Sequence, residues 1–494
     1  MERKVVHIGL DGFNPDLVKE WSAELPNLSK LMGEGIWGPI ESTVPPITPQ
    51  AWTCTVSGKN PGHFGFWNFT YRSDYSYGEP NLVNSWVVTE RVETLYTILP
   101  RSGKRIAIIN LPVSYPPPRI ENGYSISCFM TPSLEKEFTY PSELRNEIEK
   151  VIGEYILDAS TSDTNYRLMD KDVVLKRIYD MDKQRFDLIE HFITHKKCDY
   201  IFAVIMGTDR MPHLFYRYFD KNHVRYEDNP KYKNALKDHY RFCDENIGRI
   251  MGLVDENTVI IVQSDHSVQR LDGRINLNEW LIEEGYMKIR TYPTQLTPIS
   301  KCDIDWENTK AWATGYTGQI YLNVKGREKY GVVDPRDYDV LLDELSEKML
   351  AITDQKGNKL ETKVFKRTSI HPGPYSRFGP DLFINFDDCR WNISELIGYG
   401  RGNLYSYDTT LGPDDGGHGP YGFFTIAGPG VPKLGEITSA HLLDIAPTVL
   451  HLMGVKVPED MEGRVLVEES AEKVYSKEDE DEVKKRLAAL GYLG

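Results

Sequence analysis

Six side chains of the types that bind divalent metals are spread along this chain: Asp11, Asp209, His213, Asp265, His266 and His418. Most of them lie within a few positions of a short apolar run. Carboxylate oxygens and imidazole nitrogens together suit metal ions that activate a nucleophile and stabilise a leaving oxygen. These residues therefore predict a two-metal hydrolytic site, provided that the fold brings them together.

Three of the apolar runs are brief, continuous and rich in β-branched residues. They span residues 4–10, 200–206 and 259–264, and an acidic residue follows each within a few positions. Such runs are typical of parallel strands that helices cover on both faces. Ligands of an open α/β sheet bind outside the carboxyl ends of its strands. We therefore expect an α/β fold with a mostly parallel central sheet and helices on both faces.

The positions of the first and last metal-type residues constrain the domain organisation. Asp11 and His418 share a site only if the main domain runs from the N-terminus past residue 418. Helical patterns at 174–195 and 236–253 fit between the strands, whereas three prolines open an excursion at residue 116. We predict an α/β core of residues 1–115, 195–285 and 375–468, a partly helical insertion of residues 116–194 as a lid candidate, a small α+β excursion or sheet-edge subdomain of residues 286–374, and a C-terminal helix within residues 469–494.

Composition limits the partners. The net charge of −15 and the pI near 5.4 argue against a nucleic-acid polymer or an anionic membrane surface. A small anionic substrate is still compatible, because bound cations create a local positive centre. No transmembrane segment or signal-peptide run is seen, and the six cysteines form no C-x-x-C pair. We expect a cytoplasmic protein, and nothing in the sequence indicates an oligomeric state.

Thr48 is the candidate nucleophile. Pro49 follows it and a helix-compatible stretch comes next, which predicts that Thr48 lies at a helix N-terminus. Free backbone N–H groups and the helix dipole favour an anion there. A metal-activated threonine hydroxyl at this position is able to attack phosphorus. A simple N-cap is the alternative role for Thr48.

These residues carry a resemblance to a known family. The motifs are Asp11-Gly12, Thr48-Pro49 with Gly58 ten residues after Thr48, Asp209-x-x-x-His213, Ser264-Asp265-His266-Ser267 and Gly417-His418-Gly419. In this order they resemble the alkaline phosphatase superfamily. Within it the chain is most similar to the type I phosphodiesterase/nucleotide pyrophosphatase branch and its prokaryotic phosphohydrolase/phosphomutase relatives, over roughly residues 1–110 and 195–465.

The resemblance implies a site with two divalent metal ions. One ion would be held by Asp209, His213 and His418, and the other by Asp11, Asp265 and His266, with Thr48 bridging to substrate. The ions would be zinc, with manganese as the alternative. A phosphothreonine would form at Thr48. Diesterase relatives carry a phosphate-contacting Asn after a His-Gly pair, and Asn68 is the matching position here, although Phe64 replaces the glycine.

Several functions remain open at this stage. A phosphodiesterase or nucleotide pyrophosphatase is the function we expect, and a phosphomonoesterase or phosphomutase of the same superfamily is the alternative. A non-catalytic metal-dependent binding protein is the alternative from another class. The substrate is expected to be a small phosphate ester of a nucleotide, a sugar or a lipid headgroup.

Overall fold

The computed structural model describes residues 3–407, 412–467 and 484. In chain order, the strands of this part of the chain are β1 Lys4–Leu10, β2 Ile36–Glu41, β3 Thr70–Tyr71, β4 Asn81–Leu82, β5 Ile106–Ile109, β6 Tyr124–Ile126, β7 Thr139–Tyr140, β8 Tyr200–Ile205, β9 Thr258–Gln263, β10 Ser267–Arg270, β11 Gly273–Asn276, β12 Ile289–Thr291, β13 Asp303–Ile304, β14 Ala311–Thr314, β15 Gly318–Leu322, β16 Lys363–Lys366, β17 Leu382–Asn385, β18 Trp391–Ser394, β19 Tyr405–Ser406, β20 Gly416–Gly419, β21 Tyr421–Ala427, β22 Gly435–Glu436 and β23 Ala440–His441.

The helices come between these strands and follow them. They are α1 Pro15–Glu20, α2 Pro26–Glu34, α3 Thr48–Ser57, α4 Ser85–Arg91, α5 Leu95–Arg101, α6 Leu144–Ile152, α7 Lys171–His191, α8 Gly207–Phe219, α9 Ala235–Met251, α10 Leu277–Glu283, α11 Tyr338–Leu350, α12 Arg367–Ile370 and α13 Ile445–Leu452.

The central sheet has the order β22-β2-β21-β9-β1-β8-β5-β6-β7, and β23 also pairs with β2. From β9 to β6 all neighbours are parallel, whereas β21 and β7 are antiparallel to the strands beside them. The three apolar runs of the sequence form the adjacent strands β9, β1 and β8. The predicted mostly parallel α/β fold is therefore confirmed.

Helices cover both faces of this sheet. Alternate residues of a strand point to opposite faces, and in β1 the side chains of Val6 and Ile8 pack in one hydrophobic cluster and that of Val5 in another. Helices α1, α2, α7, α8 and α9 contribute to the first cluster, and α3, α4, α5 and α13 to the second. Each fully buried aliphatic side chain contributes about 1.5–3 kcal/mol. This double burial explains why the strands are continuous apolar runs.

A second, smaller unit has its own core. Strands β14, β15, β17 and β16 form a four-stranded antiparallel sheet, against which α11 packs. This unit therefore contains β17, so the predicted boundary at residue 375 cuts through its sheet. Residues 116–194 likewise contribute more than an excursion, because β6 and β7 extend the central sheet and α7 packs on its face. The division into domains otherwise stays a prediction.

Most of the helices expected from periodicity are present with shifted ends. The helix predicted at 174–195 is α7, and the one predicted at 236–253 is α9. The C-terminal helix predicted within 469–494 lies outside the described residues apart from position 484. All six cysteines lie in described segments, and none of them is in a disulfide there. Among the described helices, none has both the length and the apolar character needed to span a membrane.

Candidate active site

Three adjacent strands deliver four of the candidate ligands to one edge of the central sheet. Asp11 follows β1, Asp265 and His266 follow β9, and Asp209 lies in the first turn of α8, two residues after that helix begins. Because β1 is parallel to both β8 and β9, their carboxyl ends meet at the same edge. The convergence predicted from the sequence is thus a direct consequence of strand order.

The other two histidines reach the same place by different routes. His213 lies one turn after Asp209 on α8, so both side chains are on one face of that helix. His418 is in β20. This strand pairs with β10, which begins immediately after His266, and the pairing places His418 opposite Val268. A Cβ atom at Gly416 would lie 2.5 Å from Val268 Cγ1, so this close pairing needs glycine at position 416.

The first group of donor atoms forms a nearly equilateral triangle. Asp209 Oδ1 lies 3.3 Å from His213 Nε2 and 3.5 Å from His418 Nε2, and the two imidazole nitrogens are 3.3 Å apart. Ligands bonded to a tetrahedral Zn²⁺ at about 2.0–2.1 Å are separated by about 3.3 Å. The triangle therefore has the dimensions of three ligands to one ion.

The second group surrounds His266 Nε2. This atom lies 3.1 Å from Asp265 Oδ2, 3.8 Å from Asp11 Oδ1 and 3.2 Å from Thr48 Oγ1. The donor atoms of Asp11, Asp265 and His266 are all within 4.8 Å of one another. His266 also lies within that distance of the Asp209 and His418 donors, so the two groups are neighbours.

The carboxylates present unpaired oxygens to these groups. Asp11 Oδ1, Asp209 Oδ1 and Asp265 Oδ2 are buried and have no hydrogen bond within the part of the chain that the structure describes. The other oxygen of each carboxylate accepts a hydrogen bond from the protein. Trp52 Nε1 donates to Asp11 Oδ2 at 2.7 Å, Arg210 Nη1 donates to Asp209 Oδ2 at 2.5 Å, and Gly12 N donates to Asp265 Oδ1 at 3.2 Å. Buried unpaired carboxylate oxygens are costly, and a bound cation would remove that cost.

A hydrogen-bond acceptor at Nδ1 orients each of the three imidazoles. Nδ1 of His213 lies 2.6 Å from Asp414 Oδ1, Nδ1 of His418 lies 2.9 Å from the Pro46 carbonyl, and Nδ1 of His266 lies 3.1 Å from the Ser267 carbonyl. These acceptors place the proton on Nδ1 and leave each Nε2 lone pair directed at the donor groups. A carboxylate or carbonyl behind a histidine is the usual support of a metal ligand.

The electrostatics of the site favour added positive charge. Burial raises the pKa of Asp265 to about 8, and burial together with the charges of Asp265 and Asp209 raises the pKa of Asp11 well above its ordinary value. Burial and the neighbouring His266 lower the pKa of His418 to about 4. Ionised Asp11 and Asp265 and neutral His418 are what cation binding requires, so a cation would favour these forms.

Thr48 does not act as the simple N-cap that its position allows. Ile47 is the N-cap of α3, no side chain caps this helix end, and Thr48 is the first helical residue. The Thr48 hydroxyl is buried and directed at His266 Nε2 instead. Its position at the N-terminus of a ten-residue helix is as predicted from Pro49.

Several residues of the site were not found from the sequence. Asp414 accepts from His213 and also pairs with Arg274 at 2.8 Å and Arg167 at 3.3 Å. The acidic pair at 414 and 415, shortly before His418, was the available signal. Trp52 lies four residues after Thr48, one helical turn along α3, and only its contact with Asp11 marks it.

A loop of the predicted lid candidate borders the site. Asp158 lies 3.1 Å from Arg210 Nε, and Arg210 in turn holds Asp209. The Tyr166 ring lies beneath the guanidinium groups of Arg210 and Arg167, at 5.2 and 4.6 Å. Residues 158–167 therefore help to position the candidate ligand Asp209 and the residues behind His213.

Asn68, the predicted phosphate contact, lies in the wall of a cavity of about 320 Å³. Its Oδ1 accepts a hydrogen bond from the N–H of Phe69 at 2.8 Å. The structure thus places Asn68 beside a cavity, and its contact with phosphate stays a prediction.

The sequence model described as "Type I phosphodiesterase / nucleotide pyrophosphatase" matches residues 5–414. The chain is therefore a hydrolase that acts on phosphoric ester bonds, and it belongs to that family. This confirms the family expected from the motifs. A search of curated proteins gives no match.

Solved structures show the same fold. Murine ectonucleotide pyrophosphatase/phosphodiesterase 5 is 13% identical, with a TM-score of 0.53, over 92% of this chain and 96% of that chain. The human protein of the same name is 14% identical, with a TM-score of 0.52 and the same coverage. An inactive threonine-to-alanine variant of the murine protein in complex with AMP has a TM-score of 0.52 at 13% identity, again with the same coverage.

Proposed function

We propose that this protein is a phosphodiesterase that uses Thr48 as its nucleophile and two divalent metal ions. The supporting observation is the position of Thr48 Oγ1, 3.2 Å from His266 Nε2 and beside a cluster with three unpaired buried carboxylate oxygens. Asp209, His213 and His418 would hold one ion. Asp11, Asp265 and His266 would hold the other.

The chain's own residues account for much of the chemistry. The free N–H groups at the start of α3 stabilise negative charge on the Thr48 oxygen and on the phosphoryl group that it attacks. Metal ions bound at the two groups would supply Lewis acidity that favours the threonine alkoxide and stabilises the leaving oxygen. Thr48 Oγ1 forms a bond to phosphorus, and the alcohol leaves with a proton. Water then releases a phosphomonoester and restores Thr48.

Zinc is the metal that we propose, with manganese second. Mixed carboxylate and imidazole donors accept either ion. The separations of 3.3–3.5 Å between the donors of Asp209, His213 and His418 match a tetrahedral ion with short bonds. Mn²⁺ prefers octahedral surroundings that are richer in oxygen, so this group favours zinc.

The proposed substrate is a small phosphodiester with a nucleotide, sugar or lipid-headgroup component. Family membership supports the diester, and the AMP complex of the inactive murine variant is an example of a nucleotide bound to this fold. The net charge of −15 argues against a nucleic-acid polymer as partner. A cytoplasmic location is proposed from the six unpaired thiols.

A phosphomonoesterase or phosphomutase is the second candidate, and one observation favours it. The Arg210 guanidinium lies next to the Asp209 carboxylate, where a positive charge would suit the additional oxygens of a terminal phosphate. Asp158 and Asp209 already balance that charge, however. The diester is therefore the better supported substrate.

The test is a paired assay on a chromogenic phosphodiester and the matching monoester, with zinc- and manganese-loaded protein. We expect the diester to be preferred and Thr48→Ala to lower kcat/KM by about 10³-fold or more. Thr53→Ala is the matched control, because Thr53 is buried in the same helix and its hydroxyl bonds to the Pro49 carbonyl. Preference for the monoester would select the second candidate. Equal activity of the Thr48 and Thr53 variants would contradict the mechanism.

A further inference from the structure

The cavity beside Asn68 has a lining that no step of the proposed mechanism uses. Its volume is about 320 Å³, within the range of small-molecule sites. Three tryptophans and three tyrosines contribute to its wall: Trp67, Trp306, Trp312, Tyr71, Tyr77 and Tyr321. Polar and charged side chains lie between these rings. Such a mixture is typical of a ligand site rather than of a packing defect, which is apolar.

One hairpin of the smaller unit contacts both the cavity and the candidate metal site. Gly315 lines the cavity, and the next residue, Tyr316, has its ring centroid 5.2 Å from that of His418. The Tyr316 hydroxyl donates to the Gly416 carbonyl at 3.2 Å, two residues before His418. One hairpin, β14–β15, therefore forms part of the cavity wall and reaches a predicted metal ligand.

The aromatic rings are stacked on one another. Tyr77 lies on Trp306 with centroids 4.0 Å apart and planes at 19°, and Trp312 lies on Tyr321 at 5.3 Å and 14°. Rings at these separations leave no slot between them for a flat base. What they offer a ligand is their outer faces and edges. A single aromatic face suits the apolar side of a non-planar ring.

The polar groups around the rings include both donors and acceptors. Glu395 is held by the N–H of Gly315, which donates to its Oε2 at 2.9 Å. The guanidinium of Arg72 lies 4.8 Å from the Tyr321 centroid and donates to the Ser76 carbonyl at 3.3 Å. Gln319 also lines the cavity, where its Nε2 donates to the Trp67 carbonyl. A carboxylate accepts, a guanidinium donates and an amide does both.

We propose that this cavity binds a sugar ring carried by the phosphodiester substrate. A sugar has a weakly polar face that packs on an aromatic ring and a rim of hydroxyls that both donate and accept hydrogen bonds. The cavity provides both complements, and the hairpin that lines it also contacts the candidate ligand His418. The inference rests on the proposed function for the position of the phosphate, but binding of the sugar itself does not depend on Thr48.

The kinetic test compares the 4-nitrophenyl diester of glucose 1-phosphate with ethyl 4-nitrophenyl phosphate. Trp306→Ala removes a partly buried ring, and Glu395→Gln keeps the shape of the side chain and removes its charge. Each change is expected to lower the ratio of kcat/KM for the glucosyl diester over the ethyl diester by about tenfold. Trp86→Ala is the control, because Trp86 is 63% exposed and does not line the cavity. An unchanged ratio in both cavity variants would overturn the proposal.

A binding test separates this inference from the proposed function. Metal-free Thr48→Ala protein is titrated with the methyl diester of glucose 1-phosphate while tryptophan fluorescence is recorded. A saturable change that Trp306→Phe weakens supports the sugar site, even if Thr48 proves dispensable for hydrolysis. No saturable change, or tighter binding of the methyl diester of thymidine 5′-phosphate, would overturn it. Loss of hydrolysis in Thr48→Ala without sugar binding would leave the proposed function in place and refute the inference alone.

Discussion

Replacing Asp414 by Asn is expected to weaken metal binding through a residue that touches no metal. Asp414 Oδ1 lies 2.6 Å from Nδ1 of His213, so its charge holds the proton on Nδ1 and makes Nε2 a better donor. The amide of Asn keeps the shape but loses the charge. Loss of such a partner typically lowers metal affinity by about 10–100-fold, or about 1.4–2.7 kcal/mol.

The same substitution should also cost stability. Arg274 and Arg167 both pair with Asp414 Oδ2, and their side chains are only 4% and 14% exposed. Removing one partner of a buried ion pair typically costs about 3–5 kcal/mol. We expect the lower end, about 3 kcal/mol, because Asn still accepts hydrogen bonds from the two guanidinium groups.

Asp415→Asn is the matched control for this prediction. Asp415 is buried in the same loop and pairs with Arg217 at 2.6 Å, and its side chain contacts none of the candidate ligands. Zinc affinity is measured by competition with a chelator, and stability by urea unfolding of the metal-free proteins. Both variants should lose stability, and only the Asp414 variant should lose affinity. Zinc affinities within threefold of each other would refute the reasoning.

Three further predictions follow from single contacts. Trp52→Phe leaves Asp11 Oδ2 without its 2.7 Å donor, so the affinity for one of the two bound zinc ions should fall about tenfold. An equal fall in the affinity for both ions would contradict the assignment of Asp11 to one of them. Gly12 has a φ of +70°, and Gly12→Ala would place a Cβ 2.7 Å from a buried carbon, so this change should lower the free energy of unfolding by about 3 kcal/mol. Gly103→Ala is the control, because Gly103 has a φ of +80° but no atom within 4 Å, and it should cost about 1 kcal/mol. Equal losses in urea unfolding would contradict the prediction. Burial lowers the pKa of His371 from 6.5 to about 4, so this histidine binds a proton more weakly in the folded than in the unfolded protein. Its contribution to the free energy of unfolding is fully present above pH 6.5, and the free energy should fall by about 2 kcal/mol between pH 7.5 and pH 5. His371→Gln should remove that part of the pH dependence, and superimposable pH profiles for wild type and variant would count against it.

The part of the site that follows strands was predictable from the sequence. Asp11, Asp265 and His266 come directly after apolar runs, and the parallel order of those strands places the residues at one edge. The partners behind the ligands were not predictable in this way. Asp414 acts on His213, which is 201 residues away in sequence, and Trp52 acts on Asp11 by a contact between a helix and a strand end.

The fold was likewise predictable from the sequence only in part. The long apolar strands of the central sheet were recognisable, but β6 and β7 have only three and two residues, too few to show a periodic pattern. The sequence of β17 does not indicate which sheet this strand joins. Thr48 was placed correctly at a helix start, whereas the direction of its hydroxyl depends on His266, which comes from β9.

The stereochemical course at phosphorus tests the central claim most directly. A phosphodiester made chiral by sulfur and an oxygen isotope is hydrolysed by the metal-loaded protein, and the configuration of the product is determined. Attack by Thr48 followed by attack of water gives two inversions, so the account predicts net retention. Net inversion would mean that water displaces the leaving group in one step, and would contradict Thr48 as the nucleophile.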